Sequence, residues 1–291
     1  MTKTKGDKMD VLSFGEILFD VYTDENRAVI GGAPFNFARY YALTSGKAYL
    51  LSAVGNDEPG KAAQNECDKA GVKRDFLLTT SFPTGTVEVT LDENKVPSYT
   101  FKENTAYHNI VPDEEVYKKI KNSSAEILSF GTLIQSSAAN RRTLDKLITL
   151  KEWKEIFCDI NIRDVCKVKE YVENCLKNAT VLKFSKEEEK IFEQLNLISS
   201  DDAIAELNAK YPNIKIALRT LGAEGSLCYD LKNGKKYFCP AKKIEKVVTT
   251  VGAGDSYGAA FLASYASGKS IPESMKIATA TSARVIGGKI R

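Results

Sequence analysis

One histidine, His108, is all that the 291-residue chain contains, and its six cysteines (67, 158, 166, 175, 228 and 239) include no CxxC pair. These shortages leave neither a zinc-ligand pattern nor a disulfide framework, and they fit buried thiols in a reducing cytoplasm. Charge of one sign is also scarce: 41 Lys and Arg stand against 38 Asp and Glu, a formal net charge of +3. Such an excess gives no case for nucleic acid or an anionic membrane as partner. No apolar run is long enough to span a bilayer, and the polar opening MTKTKGDKMD has no signal-peptide core. Repeats, low-complexity tracts and dividing linkers are missing as well, so the chain reads as one domain with a small appended sheet.

What is present is a regular alternation. Apolar strands are expected at 11–14 and 17–22, then a helix that opens at Pro34 and stops at Gly46. A strand at 48–54 and a helix to about residue 70 follow. Short runs at 76–80, 86–91 and 97–101, with no helix between them, predict a small antiparallel sheet apart from the main body. From residue 113 onward, helices alternate with strands at 126–130, 156–160, 180–184 and 214–219, the third of these helices covering about 164–176. Repeated βα units argue for a parallel sheet flanked by helices. The runs 226–230 and 235–239 read as a hairpin across Asn233-Gly234.

The most informative stretch is VVTTVGAGDSYGAAFLASY, residues 247–265. A β-branched run stops at Gly252-Ala253-Gly254, Asp255 follows at once, and an Ala-rich helix begins. Glycines and a helix N-terminus together make an anion hole. A carboxylate beside such a hole makes sense if it takes a proton, which suggests phosphoryl transfer to a hydroxyl. The plainer reading makes Asp255 a helix cap. A dinucleotide fingerprint, from Gly252, Gly254 and Gly258, fails for want of a second strand after the helix.

Other constellations are weaker one by one. Gly31-Gly32 precedes a helix carrying Asn36, and Asp20 lies on the strand before it; alone, these read as a turn and a solvated polar residue. Residues 55–62, GNDEPGKA, nearly match a P-loop, but Ala62 replaces the magnesium-binding hydroxyl and Pro59 removes a backbone N–H. Asp159, Asn161 and Arg163 alternate at the end of an apolar run, where α/β sheets bind ligands. In KFSKEEE, 183–189, Ser185 reads as a cap or Glu188 as a magnesium group acting through water. TLGAEG, 220–225, is a β-turn or a phosphate-binding turn. His108 has no nameable partner.

In their order these motifs resemble the PfkB (ribokinase-like) family of carbohydrate kinases, from residue 9 to 291. GGAPFNFA is similar to the amino-terminal family signature and TVGAGDSYGAAF to the more specific carboxyl-terminal one, with FDVY, DINIR, KFSKEEE and TLGAEG between them. FGEILFD with GGAPFNFA most resembles fructokinases. The resemblance implies an α/β fold: a ribokinase-like three-layer sandwich with a mostly parallel central sheet, plus a small β-sheet lid at roughly 17–30 and 84–107. It implies Asp255 as general base, with Gly252, Ala253 and Gly254 as the anion hole. Asp20, Gly31, Gly32, Asn36 and Arg163 would hold the sugar. Lys183, Ser185, Thr220, Gly222 and Gly225 would face ATP, and Glu188 would organise Mg²⁺. The expected reaction is ATP-dependent phosphorylation of a primary hydroxyl of a small sugar, fructose first. Another sugar, a sugar acid or a nucleoside in the same family, or a sensor without catalysis, are the alternatives. Thr249 stands where the family usually has an aspartate that helps bind a monovalent cation, so a K⁺ requirement does not carry over with the rest. In the family the lid often forms a dimer contact, which makes a homodimer through it part of the expectation.

Overall fold

The computed structural model describes residues 8–25, 27–44, 46–91, 97–199 and 203–290. β1 (Asp10–Phe14) leads through β2 (Leu18–Tyr22) and β3 (Arg27–Gly31) to α1 (Ala33–Thr44), β4 (Ala48–Gly55), α2 (Glu58–Lys69) and β5 (Leu77–Thr80). β6 (Gly85–Leu91) and β7 (Pro97–Phe101) come next, then α3 (Glu114–Asn122), β8 (Ala125–Gly131), α4 (Ala138–Leu150) and β9 (Glu155–Asp159). α5 (Lys169–Asn178), β10 (Val181–Ser185), α6 (Lys186–Gln194), α7 (Ala203–Lys210) and β11 (Ile216–Thr220) continue the alternation. The hairpin β12 (Gly225–Asp230) and β13 (Lys235–Pro240) precedes α8 (Ala253–Ala266) and α9 (Ile271–Ile286).

Nine strands form the main sheet, in the order β13-β12-β11-β10-β9-β8-β1-β4-β5. Strands β5 through β11 in that order run parallel, and the hairpin adds two antiparallel strands at one edge. Residues on alternate faces of each strand feed two separate apolar cores, as the period of two requires. Val11, Ile127 and Val181 face α1, α2, α8 and α9, while Leu12, Leu128 and Leu182 face α3 to α7. The result is a helix–sheet–helix sandwich. All six cysteines are buried free thiols within these layers. Among the described residues, no helix is long and apolar enough to cross a membrane.

A second sheet, in the order β3-β2-β6-β7, stands apart from the first. It is mixed where an antiparallel one was expected: β2 and β6 run parallel because a long excursion through β4 and β5 separates them. The run expected at 76–80 does not join it. β5 instead lies at the edge of the main sheet, parallel to β4, where Lys73 has already exchanged backbone bonds with Ala48 and Leu50. The helix expected from residue 164 starts at Lys169, after a short 3₁₀ turn at Asp164–Cys166. The P-loop-like segment is a capped helix start: Asp57 accepts from Gly60 N at 2.8 Å and from Thr84 N at 2.9 Å.

Candidate active site

From β1 the chain proceeds to β4 on one side and, later, to β8 on the other, so the strand order reverses between β1 and β8. Ligands bind beyond the carboxyl ends of strands at such a point. A cavity of about 270 Å³ lies there. Its floor comes from the segments after β1, β8 and β9, from Lys183 within β10, and from the starts of α1 and α8. The small sheet supplies the opposite wall through Leu18, Asp20, Val87 and Phe101. Leu18 and Asp20 share a face of β2 by their spacing, and register sets Val87 of β6 against Phe101 of β7.

Asp255 is not the cap of α8. The cap is Gly252, in the left-handed region at φ 77°, and it makes no side-chain capping bond. Asp255 sits in the first turn, opens on the cavity, and accepts from Asn36 Nδ2 at 2.8 Å. Asn36, 5 % exposed, rides on the first turn of α1, whose entry is set by Gly32 at φ 101°. A Cβ at Gly32 would lie 2.4 Å from the Glu16 carbonyl, so only glycine fits. Burial, then the charge of Asp159, raise the Asp255 carboxyl to about 6, against the pull of Lys183, the Asn36 bond and Arg163. Burial likewise raises Asp20 to about 6.

Register explains the next pair. Lys183 and Asp159 are direct partners on the parallel strands β10 and β9, and both face α8. Lys183 Nζ donates to both carboxylate oxygens of Asp159, at 2.8 and 2.7 Å. Burial alone would lower the ammonium, but Asp159 and Glu188 hold it above its ordinary value. The small residues of α8 allow this proximity. A Cβ on Gly258 would fall 2.8 Å from Phe157 Cζ and 3.2 Å from Lys183 Cδ.

Glu16, inside the FGEILFD stretch but not among the expected site residues, belongs to the cavity. It is 4 % exposed; Oε1 accepts from Ala33 N at 3.1 Å, and Oε2 is buried without a partner. Burial, above all, lifts its carboxyl to about 7, with the charge of Asp255 adding to the shift. Its signal in the sequence is a single acid inside the apolar run VLSFGEILF. Asn161, also on the cavity, takes the left-handed conformation at φ 38°, a turn that asparagine tolerates and that brings Arg163 round to the site. Leu133, Thr250 and Val251 complete the lining.

Of the residues expected at the site, Asp20, Gly32, Asn36, Arg163, Lys183, Gly252, Gly254 and Asp255 line the cavity together. Gly31 lies just behind, where a Cβ would meet Asp20 Oδ2 at 2.9 Å. Ala253 turns its N–H back to the Thr250 carbonyl at 3.2 Å. Ser185, Glu188, Thr220, Gly222 and Gly225 are not on the cavity. They cluster at the carboxyl ends of β10 and β11, one strand further along the sheet. Ser185 and Glu188 form a reciprocal cap on α6, Ser185 N donating to Glu188 Oε2 at 2.7 Å. The other Glu188 oxygen accepts from Ile162 N at 2.7 Å. Both Glu188 oxygens are thus committed to backbone N–H groups, and no group of three metal-ligating side chains occurs among the described residues. That donor set does not fit direct ligation of Mg²⁺.

Comparison with known proteins agrees with this fold. The chain is 25% identical over 293 residues to an ATP-dependent 6-phosphofructokinase of Thermoanaerobacterium thermosaccharolyticum, covering 95% of this chain and 87% of that protein. In fold it is similar to a fructokinase with bound ATP from Xylella fastidiosa, at TM-score 0.83 and 20% identity, over 96% of this chain and 92% of that one. A fructokinase from Vibrio cholerae O395, solved with fructose, ADP and calcium, gives TM-score 0.79 at 22% identity, over 96% and 93%. The model of the pfkB family of carbohydrate kinases matches residues 10–289, nearly the whole length, and the chain belongs to that family.

Proposed function

We propose that the protein transfers the γ-phosphoryl group of ATP to a primary hydroxyl of a small sugar, with fructose the first candidate. One observation carries the reading: a carboxylate raised to about 6 is held by Asn36 in the first turn of a glycine-capped helix, on a cavity that Asp20 also lines. A base of that pKa is ionised at neutral pH yet still accepts a proton in the transition state. The N–H groups at the start of α8 lie beside it, where negative charge on the transferring phosphoryl group would develop.

In this mechanism Asp20, Gly32, Asn36 and Arg163 hold the sugar so that its hydroxyl meets Asp255. The attack runs in line, and Asp255 takes the proton late in a loose transition state. Lys183, neutralised by Asp159, supports the helix start from below and sets the field around Asp255. The small sheet covers the sugar and excludes water that would otherwise hydrolyse ATP. Ser185, Thr220, Gly222 and Gly225 flank the nucleotide on the neighbouring strands. Mg²⁺ would be carried by the triphosphate and its own water shell, which suits an ion that sheds hydration reluctantly.

The test is ADP release from ATP across a panel of ketoses, aldoses, sugar acids and nucleosides, with and without K⁺. Turnover with fructose above all others is the expected result. ADP release independent of every acceptor would defeat the reading.

A further inference from the structure

We infer that the acceptor end of this cavity selects an uncharged sugar and rejects one bearing a phosphate or a carboxylate. The inference deepens the phosphoryl-transfer reading and rests on it only for the position of the γ-phosphate.

The described walls carry four carboxylates, Glu16, Asp20, Asp159 and Asp255, against two cations, Arg163 and Lys183. Lys183 is spent on Asp159 through two short bonds. The field of Arg163 acts on Glu16, Asp20 and Asp255 alike, pulling each carboxyl back toward its ordinary range. Positive charge at the site is therefore already matched by the protein's own acids. The place that favours an anion is the start of α8, and the transferring phosphoryl group occupies it. A second anion on the acceptor would reach the opposite wall, whose described residues are Asp20 and the apolar Leu18, Val87 and Phe101. There it meets a like charge and loses hydration without a compensating donor among the described residues of that wall. A neutral sugar suits the same wall, with hydroxyls toward Asp20 and C–H faces on the apolar side chains.

The experiment is titration calorimetry of the intact protein at pH 8, with fructose, fructose 6-phosphate and gluconate as ligands, beside ADP release with the same three. Fructose should bind at least about 30-fold more tightly than either anion, a difference of about 2 kcal/mol. A smaller ratio, or no binding by any of the three, overturns the inference. Asp20→Asn should narrow the ratio for fructose 6-phosphate several-fold, and an unchanged ratio also counts against it. Turnover of the phosphosugar in place of fructose would defeat the inference while leaving the kinase reading intact. Tight fructose binding with no ADP release would do the reverse.

Discussion

Asn36 and Asp255 are 219 positions apart in the chain, yet Asn36 Nδ2 meets Asp255 Oδ2 at 2.8 Å. Each lies in the first turn of its helix, and α1 and α8 pack side by side over the same face of the sheet. The bond occupies one carboxylate oxygen, so the other is left to receive a proton, and it fixes the rotamer that aims it.

Replacing that carboxylate separates its two readings. Asp255→Asn should reduce turnover with the best sugar by roughly 10²–10⁴-fold, the contribution of a positioned general base. The thermal midpoint should hardly move, because Gly252 and not Asp255 caps the helix. Asn36→Ala should cost roughly 10–100-fold through misplacement of the base. Full turnover in Asp255→Asn would leave this residue no part in the chemistry.

Much of this site can be read in the sequence because its parts are local. Gly252 to Asp255 and Gly31 to Asn36 are contiguous motifs at strand-to-helix turns, and the βα alternation places both at the same end of the sheet. The pair Lys183–Asp159 is another matter. Its existence depends on the register of β9 against β10, and no pattern within either strand specifies it. The placement of β5 was lost for the same reason: a short apolar run states that it is a strand, not which sheet it joins. Glu16 lies within FGEILFD, but a charged residue in an apolar run has no periodicity that assigns it to the site. Ser185 reads as a helix cap from the sequence, and the structure forms that cap with Glu188 as its reciprocal partner.

The activity should depend on pH with an acid limb near 6, since Asp255 serves as a base only when ionised and is raised to about 6. Below that pH, kcat/KM should fall tenfold per unit. Glu16, raised to about 7, is mostly protonated and neutral where Asp255 titrates, so Glu16→Gln should leave the limb in place. Stability gives an independent sign. The Glu16 carboxyl is raised from 4.5 to about 7 in the folded protein, so folding favours its protonated form. That contribution is complete below about 4.5 and is lost as pH rises through 7, by up to about 3 kcal/mol. Glu16→Gln keeps an acceptor for Ala33 N and should therefore melt higher than the parent at pH 8, with the two converging near pH 4.5. Thermal unfolding at both pH values, with a rate profile, checks the pair of signs.

Lys183 and Asp159 should be worth more to the fold together than either is alone. Lys183→Met leaves a carboxylate with 14% side-chain exposure stripped of its partner. The expected cost is about 3 kcal/mol, read as a lower urea midpoint. Adding Asp159→Asn should recover a good part of it, because the orphaned charge is gone. Equal loss in the single and double variants would mean that the pair contributes only packing.

The last case tests why α8 is so poor in large side chains where it crosses the sheet. Gly258 faces Phe157 and the Lys183 stem, and an alanine methyl would come within 2.8 Å of Phe157 Cζ. Phe157 is fully buried and stacks on Phe37 with ring centroids 4.9 Å apart, so it has nowhere to retreat. Gly258→Ala should thus destabilise by about 1–3 kcal/mol through overpacking, despite the better helix propensity of alanine. Because the helix carries Asp255 one turn earlier, any outward shift should also lower kcat more than it raises KM. Trimming the obstacle with Phe157→Leu in the Gly258→Ala background should restore part of both. If Gly258→Ala alone is as stable and as active as the parent, close approach of α8 to the sheet is not what places the carboxylate.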